Sequence, residues 1–327
     1  MKTPITWVGN KTSLLPILYA LFPLRHERYI EPFGGSCAVL LGKDKPDPFE
    51  VYNDYNSNLV NLFRCMRDRP AELIRELGFL PLNSREEFNA WKKFFEKEEF
   101  NDQHVSQELE ALDELWGEEA AELQALYLHS VQDCALRKAA MYFKLIRYSY
   151  ASAGRSFGCQ PFSISSVFPL IQDVAKRLEH VVIENQDFEV LIRHYDRPDS
   201  FFYCDPPYFD SEYIYDAPFS WEDHQRLNRV LGQAQGKWLL SYNDCEEIRE
   251  LYRGYALFDF QRVHTMVQRF DAGREFHELL IGNYDLYERE KNKPAQLSMQ
   301  ELLGGTHEPI DVQRILKERI LPCKHKK

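Results

Sequence analysis

The run Phe201-Phe202-Tyr203-Cys204-Asp205-Pro206-Pro207-Tyr208 ends an apolar stretch in a carboxylate, two prolines and an aromatic ring. Two prolines fix φ at consecutive positions and remove two N–H donors, which leaves the local carbonyls as pure acceptors. A carboxylate oxygen beside a backbone carbonyl makes a two-acceptor cradle for an –NH2 group. Tyr208 adds a flat face on which a nucleobase can stack. An exocyclic base amine is a poor nucleophile because its lone pair is delocalised into the ring. Accepting both of its N–H bonds, at Asp205 and at the Pro206 carbonyl, favours tetrahedral nitrogen and frees that lone pair for in-line attack on a sulfonium methyl group. Such catalysis works by fixed acceptors and positioning, and a base in a duplex reaches the cradle only by leaving the stack. A plain proline turn closing a strand also fits Asp-Pro-Pro. The apolar strand before it and the ring after it favour the chemical reading.

The elements that must hold this turn can be read around it. Residues 12–22 have helical spacing and end at Phe22-Pro23. Arg28-Tyr29-Ile30 is a strand entering the glycine turn Glu31-Pro32-Phe33-Gly34-Gly35-Ser36, and a helix follows over 36–41. A second strand, 49–54, ends in Asp54, and a second helix covers 57–68. Strand, glycine turn, helix and strand ending in an acid open an α/β nucleotide-binding sheet. The sheet resumes with strands at 181–183, 200–204, 238–241 and 278–282, with helices at 174–178, 187–194, 221–234 and 245–252 between them. Residues 63–178 read as a mostly helical insert. Its apolar positions (Phe88, Trp91, Phe94, Phe95, then Val105, Leu109, Leu112, Leu115, Trp116) recur at helical spacing. The expected division is 1–62 and 179–287 for the catalytic part, 63–178 for the insert, and 288–327 for a polar tail with one short helix at 312–320.

Composition narrows the class. The 327 residues are 44% hydrophobic and 28% charged, ordinary for a globular protein and unlike disordered or collagenous chains. No apolar run is long enough for a membrane span, and residues 1–10 lack the pattern of a signal peptide. The seven cysteines form no Cys-x-x-Cys pair, so neither a zinc site nor a disulfide framework is expected, and the setting expected is the cytosol with reduced thiols. His224 and His264 show no metal spacing. The net charge of −11 taken alone argues against nucleic acid, but it is concentrated. Residues 85–125 hold thirteen Asp/Glu against four Lys/Arg, a local −9, so the other 286 residues carry only −2. Those acidic helices read as a solvated face. Residues 134–172 hold five basic residues and no acid, interleaved with aromatics, and a phosphate responds to that local field.

In motif order and spacing the chain resembles the Dam-type adenine-specific DNA methyltransferases. Asp205-Pro206-Pro207-Tyr208 matches their catalytic motif, and Trp7-Val8-Gly9-Asn10-Lys11 their N-terminal cofactor motif. Glu31-Pro32-Phe33-Gly34-Gly35 matches the glycine motif and Asn53-Asp54-Tyr55-Asn56 the second acidic strand end. The likeness covers about 1–65 and 170–285. It implies a Rossmann-like S-adenosylmethionine-dependent methyltransferase sheet carrying a helical target-recognition insert. It implies transfer of a methyl group from S-adenosylmethionine to N6 of a flipped adenine in double-stranded DNA, without a metal. Carried onto this chain, catalysis falls to Asp205, Pro206 and Tyr208. Cofactor binding falls to Trp7, Lys11, Phe33, Gly34, Gly35, Asp54, Asp187, Phe188 and Asp205. Lys11 would pair with the methionine carboxylate and Asp54 with the ribose hydroxyls. Asp187 and Phe188 would meet the adenine, although an Asp opening a helix is also a natural cap. The family's glycine motif often closes on a second glycine where this chain has Cys37.

Within the basic segment, Lys144, Arg147, Tyr150 and Arg155 are the expected DNA contacts, with Lys144 and Arg147 on phosphates and Arg155 forked onto a guanine. Tyr148 and Phe157 fit a core equally well. Gln261-Arg262-Val263-His264 to Gln268-Arg269-Phe270 reads as a loop flanking the site. Transfer to cytosine N4, an RNA substrate, and a non-catalytic nucleic-acid-binding protein on this scaffold remain the alternatives. A restriction companion, a phage protective enzyme and a regulatory methylase would look alike in sequence, and monomeric action is the expectation for assembly.

Overall fold

The computed structural model describes residues 1–7, 9–79, 84–96, 110–111, 114, 120–149, 156–158, 163–210, 219–263 and 275–291. Along the chain, a 3-10 turn (Thr12–Leu14) leads into α1 (Leu15–Leu21), β1 (Arg28–Glu31), α2 (Ala38–Gly42), β2 (Phe49–Asn53) and α3 (Ser57–Asp68). There follow α4 (Pro70–Phe79), α5 (Arg85–Glu96), α6 (Ala120–Tyr148), α7 (Phe168–Leu178), β3 (Val181–Glu184) and α8 (Phe188–Tyr195). The chain continues through β4 (Ser200–Cys204), α9 (Trp221–Gln233), β5 (Lys237–Asn243), α10 (Glu246–Leu251), β6 (Ala256–Val263), β7 (Glu275–Gly282) and α11 (Glu288–Lys291). The apolar positions Val105, Leu109, Leu112, Leu115 and Trp116 and the tail helix expected at 312–320 lie outside the described residues.

Backbone contacts divide the chain into two units. One comprises Met1, Lys11–Tyr55 and Gln186 onward; the other comprises Lys2–Asn10 and Asn56–Asn185. In the first unit the strands run in the order β2-β1-β4-β5-β7-β6. β2, β1, β4 and β5 are mutually parallel, while β7 inserts between β5 and β6 and is antiparallel to both. All five residues of β4 are buried, the pattern of a strand covered on both faces in a parallel sheet. Because β1, β2 and β4 are parallel, their C-terminal ends meet at one edge, and the residues just beyond them are brought together.

One expectation is corrected here. Gln261, Arg262 and Val263 do not lie in a loop but complete β6, facing His277, Phe276 and Glu275 of β7. The physical signal is a period of two: Phe258 and Phe260 are buried, while Asp259 and Gln261 are not. Residues 264–270 of that proposed loop are outside the described set.

The second unit is helical apart from β3. Asn56 caps α3 by accepting from the Asn58 and Leu59 N–H groups at 3.1 and 3.2 Å. Leu59, Leu62, Phe63 and Met66 then form the buried stripe of an amphipathic helix. The end of α6 is different: Tyr142 through Ile146 are all buried, so it is enclosed on every side. Phe88, Leu145 and Tyr148 form a core there, with Trp91, Phe95 and Phe157 packed against it. Tyr148 and Phe157 are therefore core residues. After α6 the chain turns back, with the Gly158 N–H donating to the Tyr148 carbonyl at 2.7 Å and Ser149 bridging antiparallel to Phe157.

Candidate active site

Asp205 is the first residue past the end of β4. Its Oδ1 lies 2.8 Å from Nζ of Lys11, which the chain places just before the 3-10 turn and which is only 4% exposed. The same ammonium stands 4.7 Å from the centroid of the Tyr208 ring. Burying an ammonium costs several kcal/mol unless it is paired, and here a carboxylate and an aromatic face both offset the cost. Lys11 was expected on the methionine carboxylate; in this structure Asp205 holds it. Pro206 is buried between them in sequence, with no N–H to compete for either acceptor.

Tyr208 is held from beneath by the sheet. Its hydroxyl donates to Glu278 Oε2 at 2.6 Å, and Ser241 Oγ lies 2.8 Å from the same oxygen. Burial, then the charges of Glu278 and Asp205, push the phenol well above its usual range, so it stays a neutral donor. With its one proton committed to the carboxylate, it accepts from Ser241. Asn243 Nδ2 donates to the Phe209 carbonyl at 3.1 Å and fixes the chain leaving the turn. Asn243 and Glu278 are register partners on β5 and β7, and Ser241 lies two residues before Asn243 on the same face. Sequence reading missed all three. A visible signal existed for one of them: Glu278 is a carboxylate opening the apolar run Leu279-Leu280-Ile281.

The glycine turn is built against β2. The Gly34 N–H donates to the Asn53 carbonyl at 2.7 Å, and a Cβ on Gly34 would stand 2.3 Å from the Tyr52 ring. That glycine is required by the strand beside it. Asp54 Oδ2 accepts the Gly35 N–H at 2.8 Å, and Tyr52 donates to the Gly35 carbonyl at 2.8 Å. Buried Asn53 donates to the carbonyls of Pro32 and Gln186 at 2.8 and 3.1 Å and accepts the Gln186 N–H at 2.8 Å. One amide thus ties three chain segments together. Cys37, at the position where the family often carries glycine, adopts a φ of 57°, the left-handed conformation glycine takes without strain.

Phe33, Phe188 and Phe219 form an aromatic trio with centroids 5.4 to 5.9 Å apart. Phe219 was not picked out from the sequence. Asp187 caps α8 by accepting the Glu189 N–H at 2.9 Å, and its same Oδ1 takes Arg226 at 2.9 Å. The cap reading of Asp187 is therefore correct, and its Oδ2 makes neither bond. Arg226 also pairs with Glu189 and Asp223 and lies 4.8 Å from the Phe188 ring. Burial opposes its charge, but Asp187 and the other two carboxylates hold its pKa above the usual arginine value. A chain of rings joins the trio to the turn. His224 lies 4.7 Å from Phe219 and 2.5 Å, nitrogen to hydroxyl, from Tyr242, whose ring is 6.0 Å from that of Tyr208.

Of the expected cofactor residues, the first unit brings together Lys11, Phe33, Gly34, Gly35, Asp54, Asp187, Phe188 and Asp205. Trp7, half-buried, belongs to the second unit, where its carbonyl accepts from the Asn10 N–H at 3.3 Å. Of the expected DNA contacts, Lys144 does not suit its role. It is 1% exposed inside the enclosed end of α6, so its ammonium is not presented to a phosphate. Arg147 is half-buried, and desolvation lowers its pKa. Tyr150 and Arg155 are outside the described residues. Among the described residues no cluster of His, Cys, Asp and Glu is set to hold a metal ion, and no helix is long and apolar enough to cross a membrane.

Comparison with known proteins returns one family. The sequence model of the D12 class N6 adenine-specific DNA methyltransferases matches residues 7–268. The chain is 26% identical over 292 residues to the type II methyltransferase M1.LlaDCHI of Lactococcus lactis subsp. cremoris, spanning 85% of this chain and 94% of that one. It is 22% identical over 293 residues to the type II methyltransferase M.CviBI of Paramecium bursaria Chlorella virus NC1A, covering 87% of this chain and 100% of the relative. A third relative is the retron Ec67 DNA adenine methylase of Escherichia coli, 26% identical over 269 residues, or 78% of this chain and 82% of that one.

Proposed function

Since the chain belongs to the D12 class of N6 adenine-specific DNA methyltransferases, we propose that the turn Asp205–Tyr208 is where a flipped adenine of double-stranded DNA is methylated at N6, with S-adenosylmethionine as donor. The observation that carries the assignment is the ammonium of Lys11 on Asp205, beside the ring of Tyr208. An N–H donor already sits on the acceptor, next to a ring suited to stacking, which is the arrangement that an adenine amine requires. Asp205 and the Pro206 carbonyl accept the two amine N–H bonds and localise its lone pair. Tyr208 supports the base, and Asp205 is the nearest acceptor for the proton the amine sheds. Lys11 holds the carboxylate in place until the amine replaces it.

The residues present fit the donor. Phe33, Phe188 and Phe219 offer apolar faces to an adenine, and Oδ2 of Asp187 is the acceptor beside them for its amine. Asp54 lies at the strand end where an acid meets ribose hydroxyls, and the backbone of Phe33 to Gly35 makes the close approach. Lys11 completes the set within the sheet unit. When bound, S-adenosylmethionine supplies an electrophilic methyl carbon on a positively charged sulfur. Arg147, Tyr150 and Arg155 are the proposed DNA contacts, without Lys144. The names of the type II relatives support a role as the companion of a restriction enzyme; a setting in the cytoplasm of a bacterium or an infected cell and monomeric action are part of the same proposal.

The test is Asp205→Ala, assayed with labelled S-adenosylmethionine and DNA lacking methylated adenine. Loss of transfer by about a thousandfold or more is expected, with duplex binding largely retained. Transfer near the wild-type rate would sink the assignment.

A further inference from the structure

Arg226 on α9 presents three nitrogens to three carboxylates. Nε donates to Glu189 Oε2 at 3.1 Å, Nη1 to Asp223 Oδ1 at 2.7 Å and Nη2 to Asp187 Oδ1 at 2.9 Å. Arg193 donates to Glu189 Oε1 at 2.8 Å, and the Ser220 N–H to Asp223 Oδ2 at 2.8 Å. Among the described residues, Asp187 Oδ2 is the one oxygen of the three carboxylates that receives no donor. Glu189 already ties α9 to α8, and Asp223 lies on α9 itself. The arm to Asp187 reaches an oxygen that the Glu189 N–H already satisfies at 2.9 Å, so the helix cap does not need it. Its consequence is orientation. The last torsion of an aspartate is broad, and one bond on Oδ1 lets the carboxylate plane swing. A second donor on the same oxygen, from another helix, fixes where Oδ2 points. The same guanidinium lies 4.8 Å from the centroid of the Phe188 ring, so one group holds both the ring and the carboxylate.

Resting on the reading that Phe33, Phe188, Phe219 and Asp187 receive the donor's adenine, we propose that Arg226 is a positioning residue that sets the protein's preference for a 6-aminopurine donor. Held in one direction, Oδ2 accepts the amine N–H. A 6-oxopurine would bring a carbonyl to the same place, and two acceptors would face each other with no proton between them. Asp187, Glu189 and Asp223 outnumber Arg226 and Arg193, and the excess negative charge adds to that repulsion. When the carboxylate swings, the amine loses part of its bond and the carbonyl escapes part of its clash, so the two purines converge in affinity.

The experiment is calorimetric binding of S-adenosylhomocysteine and of its 6-oxo counterpart, S-inosylhomocysteine, to the full chain. The wild-type protein should prefer the amino form by about thirtyfold, the worth of a hydrogen bond to a charged group. Arg226→Met should cut that preference to about threefold; the effect is no larger because the Arg226 and Asp187 side chains are 29% and 33% exposed. In the Asp187→Asn background the same substitution should change the preference less than twofold. A merely structural role would weaken both ligands by the same factor, and that result, or an unchanged preference in Arg226→Met, would overturn the inference. If Arg226→Met does not fold, Arg226→Lys keeps the charge but cannot fork across three carboxylates. A preference reduced about threefold in it supports the role, and an undiminished one overturns it. No preference in the wild type, or one untouched by Asp187→Asn, would instead sink the adenine assignment and the inference with it, so the two failures are distinguishable.

Discussion

Among the described residues two lysines, Lys11 and Lys144, are almost completely buried, and they sit in regions built on different principles. Lys11, 4% exposed, belongs to the sheet unit and is paired with Asp205 and the Tyr208 ring. Lys144, 1% exposed, lies in α6 of the helical unit, with no hydrogen-bond partner for its ammonium among the described residues. Burial alone drives its pKa from an ordinary 10.5 to about 8, with Glu76 and Glu87 opposing. At the sheet edge parallel strands end together, so polar groups from distant segments converge and satisfy one another. Along a helix the neighbours at three and four residues are already committed to packing. A buried cation with a designed partner marks chemistry; one enclosed by a helix core is a cost the fold carries.

If that contrast is right, removing each lysine should have opposite effects. Lys11→Met strands the Asp205 carboxylate and should lower stability by about 2–3 kcal/mol, less than a fully buried pair would lose, while also abolishing transfer. A variant as stable as wild type would break the comparison. Lys144→Met should raise stability at pH 7 by about 1–2 kcal/mol, because an unpaired charge leaves the core. The pH dependence sharpens the point. Between about 8 and 10.5 the unfolded chain holds the Lys144 proton and the folded chain does not, so wild-type stability should rise with pH across that window. The penalty is present in full below it. In Lys144→Met that rise should vanish, read as melting temperatures at pH 7 and 9.5. The smallest effect concerns the strained Cys37: Cys37→Gly should be about 1 kcal/mol more stable than Cys37→Ala, since only glycine relieves the positive φ. Equal stabilities would show that the backbone there is not strained.

The sequence was informative where chemistry sits at strand ends. An apolar strand, a carboxylate and two prolines are contiguous, so Asp205 to Tyr208 could be read without knowing the sheet, and Asp54 and the glycine turn followed from the same local grammar. The supports of that turn were hidden because they come from β5 and β7, where pairing partners are set by register between segments more than thirty residues apart. Lys144 misled for the converse reason. Its basic and aromatic neighbours suggested a DNA face, but whether a helix position faces water depends on what surrounds the helix, and the end of α6 is surrounded. The edge strand β6 was missed despite its alternation, because polar Gln261 and Arg262 resemble a loop when read alone.

The central claim is that Asp205 and Tyr208 hold an adenine amine for methylation. Its most direct test is to incubate the protein with methyl-labelled S-adenosylmethionine and unmethylated DNA, then separate the nucleosides. The account predicts label in N6-methyladenine alone. Label in N4-methylcytosine, or none while the donor still binds, would contradict it.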